Sequence, residues 1–474
     1  DSYVLALAGL LMLAGSIGDR YGRKRWMTFG LIVFGVGSVM GAMAGTIETL
    51  ILGRAIQGLG AAFVLPATLS IVTNTFDRDE RGKAIAIWTM VGGMGIGFGP
   101  AVGGYLVDRY DWSAAFWVHV PVLVVALIGQ TVVRESRDPR HVGLDIPGAV
   151  TATLGITALV YGIIQSAEHG WGDPLIVGSH AVAVVSLVTF VQTERRAPYP
   201  MLPLHFFRNR DFTGSVTVIG IMFFAGPSTF FFMTQFFQIV QGRDPFEAGL
   251  LILPNAGAIM VASEIAPPLT SRFGPKRLVA FSVSVMALAT ALLTQVDADW
   301  TAITEIGIIV LFGFGFGLGM PAITDAIMAA VPVEDAGIGS AVNDVSRELG
   351  SALGVAVIGT FIARLYRDNV TENLGGQVPD DVVEIAQDGI GVVAGLAPQL
   401  PADVAGVTVA GANEAFVSAM NSGFWLSTAV LLGGVAVAAW LLPSVAREEQ
   451  VEREETPRPD GHLPVEVPAD VLAR

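Results

Sequence analysis

The sequence predicts an all-α membrane protein, and three observations carry that expectation. Mean hydropathy is +0.61, and only 15% of the 474 residues are charged against 52% hydrophobic, far fewer charges than a water-soluble chain of this length carries. Apolar stretches of about 20 residues recur from end to end, each long enough at 1.5 Å per helical residue to cross roughly 30 Å of hydrocarbon. Barrel strands would instead read as short alternating segments. Lys and Arg, finally, fall almost entirely on one side of the expected membrane.

In chain order, twelve complete spans are predicted near 26–46, 49–74, 84–106, 113–133, 145–164, 174–194, 212–240, 246–270, 278–296, 302–331, 338–363 and 415–442. Residues 2–14 form a further apolar segment that is too short to span, so the sequence is expected to begin inside a helix. It lacks the basic start and small-residue cleavage site of a signal peptide. With these spans, one side of the membrane holds 21 Lys and Arg and the other 4, while Arg54 and Arg347 fall inside helices. The positive-inside rule then makes the loop 15–25 and the tail 444–474 cytoplasmic and the acidic segment 364–414 external. One cytoplasmic loop is anomalous: it carries Glu334 and Asp335 and no basic residue.

The net charge of −15 comes largely from 364–414 and 444–474, each with eight acidic residues. The external segment is read either as a hairpin over an exit or as a flexible connection. The Pro-rich tail is expected to be disordered. There is no cysteine, so no disulfide or thiolate metal site is possible. No phosphate-cradling loop ending in Lys-Ser/Thr is present, so nothing points to ATP, and no cofactor or metal is expected.

An internal repeat organises the spans. "GSIGDRYGRKR" (15–25) lies over "PPLTSRFGPKR" (267–277), and "LPATLS" (65–70) lies over "MPAITD" (320–325) in the same order. Two halves of similar helix order are implied, with any central site at their interface. Spans 145–164 and 174–194 have no repeat partner and join the halves. Restoring a missing first helix and part of a second gives fourteen helices arranged six, two, six. The expected units are 1–133, an incomplete N-terminal bundle, 134–200, two linking helices, 201–443, a C-terminal bundle, and the tail 444–474.

Several motifs then carry a family resemblance. "GSIGDRYGRK" (15–24) resembles the loop signature between helices 2 and 3 of the major facilitator superfamily, "RAIQGLGAA" (54–62) its helix-4 motif, and "GIGFGPAVGG" (95–104) the helix-5 motif of its antiporters. "WSAAFWVHVP" (112–121), "QIVQGRDPFEAGL" (238–250) and "NDVSRELGSALGVAVIG" (343–359), with the two extra helices, resemble the fourteen-helix drug:proton antiporter branch. The resemblance implies the major facilitator fold and a proton-coupled exporter of small amphipathic or cationic compounds. Its partners would be that substrate, protons and the bilayer, with no nucleic acid, in a monomer of the plasma membrane. Export of a native metabolite, or uptake by proton symport, is the alternative. The sequence departs from the family at Ser113, where a basic residue is common, and at Ser271, which replaces the latch acid in the second repeat.

Candidate residues follow. Asp19, at a cytoplasmic helix end, can accept hydrogen bonds from the N-terminal amides of the helix beginning near Gly337. With Gly15, Arg20, Gly22, Arg23 and Lys24, it is expected to form a latch across the cytoplasmic face, with the loop acids Glu334 and Asp335 pairing with the bases. A charged loop that only sets topology is the plainer reading. Gly95, Gly99 and Gly103 follow small-xxx-small spacing and are expected to form a groove for a close backbone, while Pro100 leaves the Ile96 carbonyl unpaired so that the helix can bend; Gly104 completes the antiporter motif, and ordinary packing would also account for the glycines. Arg54 must face a partner or a water-filled cavity; in the family this arginine works beside a helix-1 acid in proton coupling. Glu264 and Asp325 are expected to bind substrate or protons, or else to reach the cytoplasm or pair with Arg347. Arg347 could equally pair with Asp344 three residues earlier. Gln57, Gln235, Gln238 and Asn343 could line a polar cavity, the aromatic run 223–237 could face flat or cationic ligands, and His119 could relay protons.

Overall fold

The computed structural model describes residues 2–137, 143, 145–198, 200–297, 300–332 and 335–442, all helix or connecting loop. Thirteen helices among them are long and apolar enough to cross a membrane.

The apolar run at the start continues past Gly15 into one 20-residue helix, α1 (Ser2–Tyr21). This corrects the expectation that it is too short to span: Gly15 and Gly18 are buried against neighbours, and the polar residues fall on the last turn. The chain reverses at Gly22, whose φ of 116° suits a residue without a Cβ, and continues as α2 (Arg23–Ala42), α3 (Ile47–Thr75) and α4 (Arg78–Arg109). The span near 113–133 is broken at Val118 into α5 (Ala114–Trp117) and α6 (His119–Gly129). The linking hairpin is α7 (Ile146–His169) and α8 (Pro174–Glu194). The second bundle follows as α9 (Arg210–Gln235), which ends in a π-helical turn (Phe236–Val240), α10 (Pro245–Phe273), α11 (Pro275–Leu293), α12 (Ala302–Ala329) and α13 (Ala336–Leu374).

The segment 364–414 is an ordered helical hairpin rather than a flexible connection, with Asn369 donating to Ala415 O and Asn373 to Gly411 O across it. α13 runs on to Leu374, two short helices α14 (Asp380–Ala386) and α15 (Ile390–Leu396) fold back, and α16 (Ala402–Leu441) starts well before the expected span. Its apolar residues explain this: Val370, Leu374, Val382, Val383, Ile390 and Val393 are buried together with Ala412 and Phe416. The expected disordered tail, 444–474, lies outside the described residues, as does Glu334.

Lipid offers no hydrophobic drive between helices, so close packing of small residues must supply it. Gly317 of α12 sits where a Cβ would lie 2.6 Å from Ile259 O of α10, and Gly354 of α13 where a Cβ would collide with Phe224 O of α9. The repeat is visible in the backbone. Gly274 precedes α11 with φ 80° as Gly22 precedes α2, and Pro66 and Pro321 occupy matching helix interiors in α3 and α12. The halves meet where α1 packs on α13 and α4 on α10, while α7 packs on both α1 and α13 and carries α8 on its outer side.

Gly354→Ala is expected to lower the melting temperature of the purified protein by an overpacking effect of about 1–3 kcal/mol. Gly257→Ala, on an open face of α10, should stay within about 0.5 kcal/mol of the parent. Equal melting temperatures for the two variants would contradict the packing described.

Candidate functional site

One contact between the halves is built on a single carboxylate. The last turn of α1 buries Asp19 to 5% exposure. Its Oδ1 accepts from Gly337 N at 3.0 Å and its Oδ2 from Ile338 N at 3.2 Å. These are among the N-terminal amides of α13 that no helical carbonyl can satisfy, and the helix dipole favours an anion there. Arg23, 1% exposed, donates Nε–H to Asp19 Oδ1 at 2.7 Å. Gly15 and Gly337 let the backbones approach. A Cβ on Gly15 would meet Gly337 O at 2.7 Å, and one on Gly337 would strike the Asp19 carboxylate.

The other bases of this loop act differently. Lys24 Nζ donates to Val133 O at 2.7 Å, and Arg20 stacks on Tyr21 at 4.9 Å. Neither makes an ion pair with a loop acid among the described residues. Glu135, not singled out from the sequence, caps the start of α2 by accepting from Lys24 N at 3.0 Å and Arg25 N at 3.1 Å. Its signal was a lone acid between Arg134 and Arg137. In the second half Ser271 only donates to Pro268 O of its own helix, at 3.0 Å.

Toward the outer end of the first bundle, Arg54 has no carboxylate partner among the described residues. Its Nη1 donates to Gln57 Oε1 at 3.0 Å, and its guanidinium lies 4.4 Å from the ring of Tyr3 and 6.0 Å from that of Phe116. Gln57, fully buried, passes a hydrogen bond to Ser38 Oγ at 2.8 Å. His119 packs edge-on to Phe34 at 5.4 Å, with its Nδ1 buried and unpartnered.

Walled by the second bundle, with Pro100 of α4 the one lining residue from the first among the described residues, lies a cavity of about 570 Å³. Its wall is formed by the aromatic run of α9 together with Phe312 and Phe316 of α12, Ile252, Asn255 and Ile259 of α10, Pro100 of α4, and Arg347, Glu348 and Ser351 of α13. Phe223 meets Phe316, and Phe230 meets Phe312, edge to face at 5.4 and 5.6 Å. Arg347 Nη1 donates to Asp344 Oδ1 at 3.1 Å, the within-helix pairing, and its guanidinium lies 4.6 Å over Phe223. The neighbouring Glu348 makes no hydrogen bond or ion pair among the described residues, and Tyr3 of α1 lies within its electrostatic reach. Glu348 is not singled out by the sequence motifs; two opposite charges side by side in a span, Arg347 and Glu348, are the signal that marks it.

Other candidates stand elsewhere. Glu264 is exposed on α10, makes no hydrogen bond or ion pair among the described residues, and does not line the cavity. Asp325 is half-buried and partnered, also outside the cavity wall. Gln235 lines the cavity, whereas Gln238, carried round by the π-helical turn, does not. Asn343 is fully buried and donates to Asp344 Oδ1 at 3.2 Å rather than into the cavity. Gly95, Gly99 and Gly103 have nothing within 4 Å of a notional Cβ, so no backbone fills that row. The close approach to α10 is made instead by Gly93 and by Gly104, the latter 3.0 Å from Pro245 O, because α4 turns a different face to its neighbour.

Comparison with known proteins gives a consistent picture. Residues 2–355 match the Major Facilitator Superfamily. The chain is 33% identical over 444 residues to the "Multidrug efflux pump LfrA" of Mycolicibacterium smegmatis, covering 92% of this chain and 86% of that protein. It is 30% identical over 477 residues to the "Tetracenomycin C resistance and export protein" of Streptomyces glaucescens, covering 97% and 86%. Among solved structures, the proton:xylose symporter XylE superposes with a TM-score of 0.56 at 12% identity, covering 93% of this chain and 85% of that one, a likeness of fold alone.

The chain has no cysteine, so Ala341→Cys introduces a single thiol at a fully buried position facing Gly15. Adding Asp19→Asn is expected to raise its reaction rate with a water-soluble maleimide at least tenfold. Charge-assisted hydrogen bonds contribute about 1.5–3 kcal/mol each, and about 1.4 kcal/mol is a factor of ten. An unchanged rate would show that the Asp19 contact does not hold this surface closed.

Proposed function

The chain belongs to the Major Facilitator Superfamily, and from that premise we propose that it exports small amphipathic or cationic compounds in exchange for protons. As a secondary transporter it resides in a lipid bilayer and handles small molecules. The observation that carries the finer reading is the cavity of about 570 Å³, lined by phenylalanine faces and by the adjacent charges of Arg347 and Glu348. Aromatic faces attract a desolvated cation by about 2 kcal/mol or more. Glu348 supplies an anion not spent on an ion pair among the described residues, while Asp344 holds the Arg347 guanidinium beside it. Such a site takes up either a proton or a cationic ligand, which is the exchange an antiporter requires.

In this reading the contact of Asp19 with α13 closes the cytoplasmic side in one of the two alternating states. The Arg54–Gln57–Ser38 chain provides fixed polarity beside the proton path. Gly95, Gly99 and Gly103 leave room for α4 to repack. The protein works as a monomer in the plasma membrane, with its C-terminus in the cytoplasm by the loop charges. The proton gradient supplies the energy, with no cofactor.

In proteoliposomes the protein is expected to move a fluorescent aromatic monocation, and the flux should stop when a protonophore collapses the gradient. Glu348→Gln should cut that flux at least tenfold while the melting temperature stays within a few degrees. Flux that survives the protonophore would rule out proton exchange, and undiminished flux in Glu348→Gln would remove the assigned anion.

A further inference from the structure

A second pair of acids, far from the cavity in sequence and absent from its wall, lies where the linking hairpin meets the second bundle. Asp145 precedes α7 and Glu194 closes α8, and they are 9% and 4% exposed. Each uses one oxygen on a backbone amide: Asp145 Oδ1 accepts from Gly148 N at 2.8 Å, and Glu194 Oε2 from Leu202 N at 3.0 Å. The remaining oxygens, Asp145 Oδ2 and Glu194 Oε1, are buried without a hydrogen-bond partner among the described residues. They point at the same spot. A Cβ on Gly148 would lie within 2.7 Å of both, so the two oxygens are no more than twice that distance, 5.4 Å, apart.

A pair of ionised carboxylates offers only acceptors. Two such anions this close, removed from water, repel and leave both oxygens unsatisfied. One proton removes both problems, since it turns one oxygen into a donor for the other and reduces the pair to a single negative charge. Among the described residues, few neighbours could neutralise the pair otherwise. Arg196 lines the same pocket of about 500 Å³ as Asp145 but makes no ion pair among the described residues. That pocket also presents the uncharged Thr189, Gln192 and Thr193. From α1, Leu10 and Leu13 line the apolar pocket beside Asp145, and the segment leading to α9 offers the Leu202 amide. Arg140 and His141 precede Asp145 outside the described residues. No group of three or more His, Cys, Asp or Glu capable of holding a metal occurs among the described residues.

We propose that Asp145 and Glu194 form a proton-binding site of their own, holding one proton between Oδ2 and Oε1 and so clasping the α7–α8 hairpin to the chain that enters the second bundle. The proton belongs to the pair rather than to either acid. Three pieces meet there: the start of α7 through Gly148 N, the end of α8 through Glu194 itself, and the segment 201–202, whose Met201 and Leu202 are buried in the main core. Loss of the proton as pH rises leaves two buried anions at this junction, so the clasp contributes stability at low pH that disappears toward alkaline pH. The site does not depend on the transport reading.

The test uses the full-length purified protein and no transport assay. Acid-minus-alkaline infrared difference spectra should show the carbonyl band of a protonated carboxylic acid, and that band should be lost in both Asp145→Asn and Glu194→Gln. The parent's melting temperature should fall on raising the pH, and this fall should vanish in both variants. Asparagine retains an acceptor for Gly148 N, so Asp145→Asn decides the question even if Glu194→Gln does not fold. A carboxylic band that survives Asp145→Asn, or a parent whose melting is indifferent to pH, would overturn the proposal. So would added Ca²⁺ or Mg²⁺ raising the melting temperature of the parent but of neither variant, since the pair would then hold a metal ion.

Discussion

The contact on which the arrangement of the two halves depends is a single carboxylate seated on a helix end. Asp19 of the first bundle accepts from two amides of α13 in the second, 318 and 319 residues away. Helix N-termini leave amides that something must satisfy, and in a membrane protein the alternative to a partner is costly. The same constraint recurs in the neighbouring loops, where Glu135 seats the start of α2 and Asp145 the start of α7. What distinguishes Asp19 is that its partner belongs to the other half, so the bond is broken whenever the halves move apart at this end. Arg23 holds the carboxylate in place from its own half, and Gly15 and Gly337 remove the side chains that would keep the backbones apart.

Close backbone approaches at glycine occur both within the bundles and between them. Within the second bundle, α12 meets α10, and α13 meets α9, at distances only glycine permits. Between the halves, α4 approaches α10 closely at Gly104 and Gly249, while the row Gly95, Gly99 and Gly103 is unfilled and a phenylalanine-lined cavity opens in the second bundle beside Pro100. Charge is placed sparingly in the cavity wall, with Arg347 committed to Asp344 and Glu348 left without a partner among the described residues.

Much of this was legible in the sequence, for physical reasons that differ by feature. Span positions follow from hydropathy, and the Asp19–Gly337 pairing from an acid placed among bases and a cytoplasmic loop with none. Which face a helical residue turns to its neighbours was not legible. Glu264 and Glu348 both sit in spans, yet one is exposed away from the cavity and the other lines it. The glycine row of α4 failed for the same reason, since spacing shows that a groove exists but not what fills it. Gln238 was displaced by a π-helical turn that no propensity signals. The external segment looked like a loop by its charges because its buried valines and leucines are scattered between acids, and only their convergence on α16 reveals a folded cap.

The central claim is that two particular amides of α13 are bonded to Asp19 where the halves meet. Hydrogen exchange read by mass spectrometry at Gly337 and Ile338 tests it directly. Both amides should be protected in the parent and exchange at least tenfold faster in Asp19→Asn, with amides deeper in α13, such as Gly354, unaffected. Equal protection in parent and variant would contradict the account, since the helix end would then be satisfied without the carboxylate.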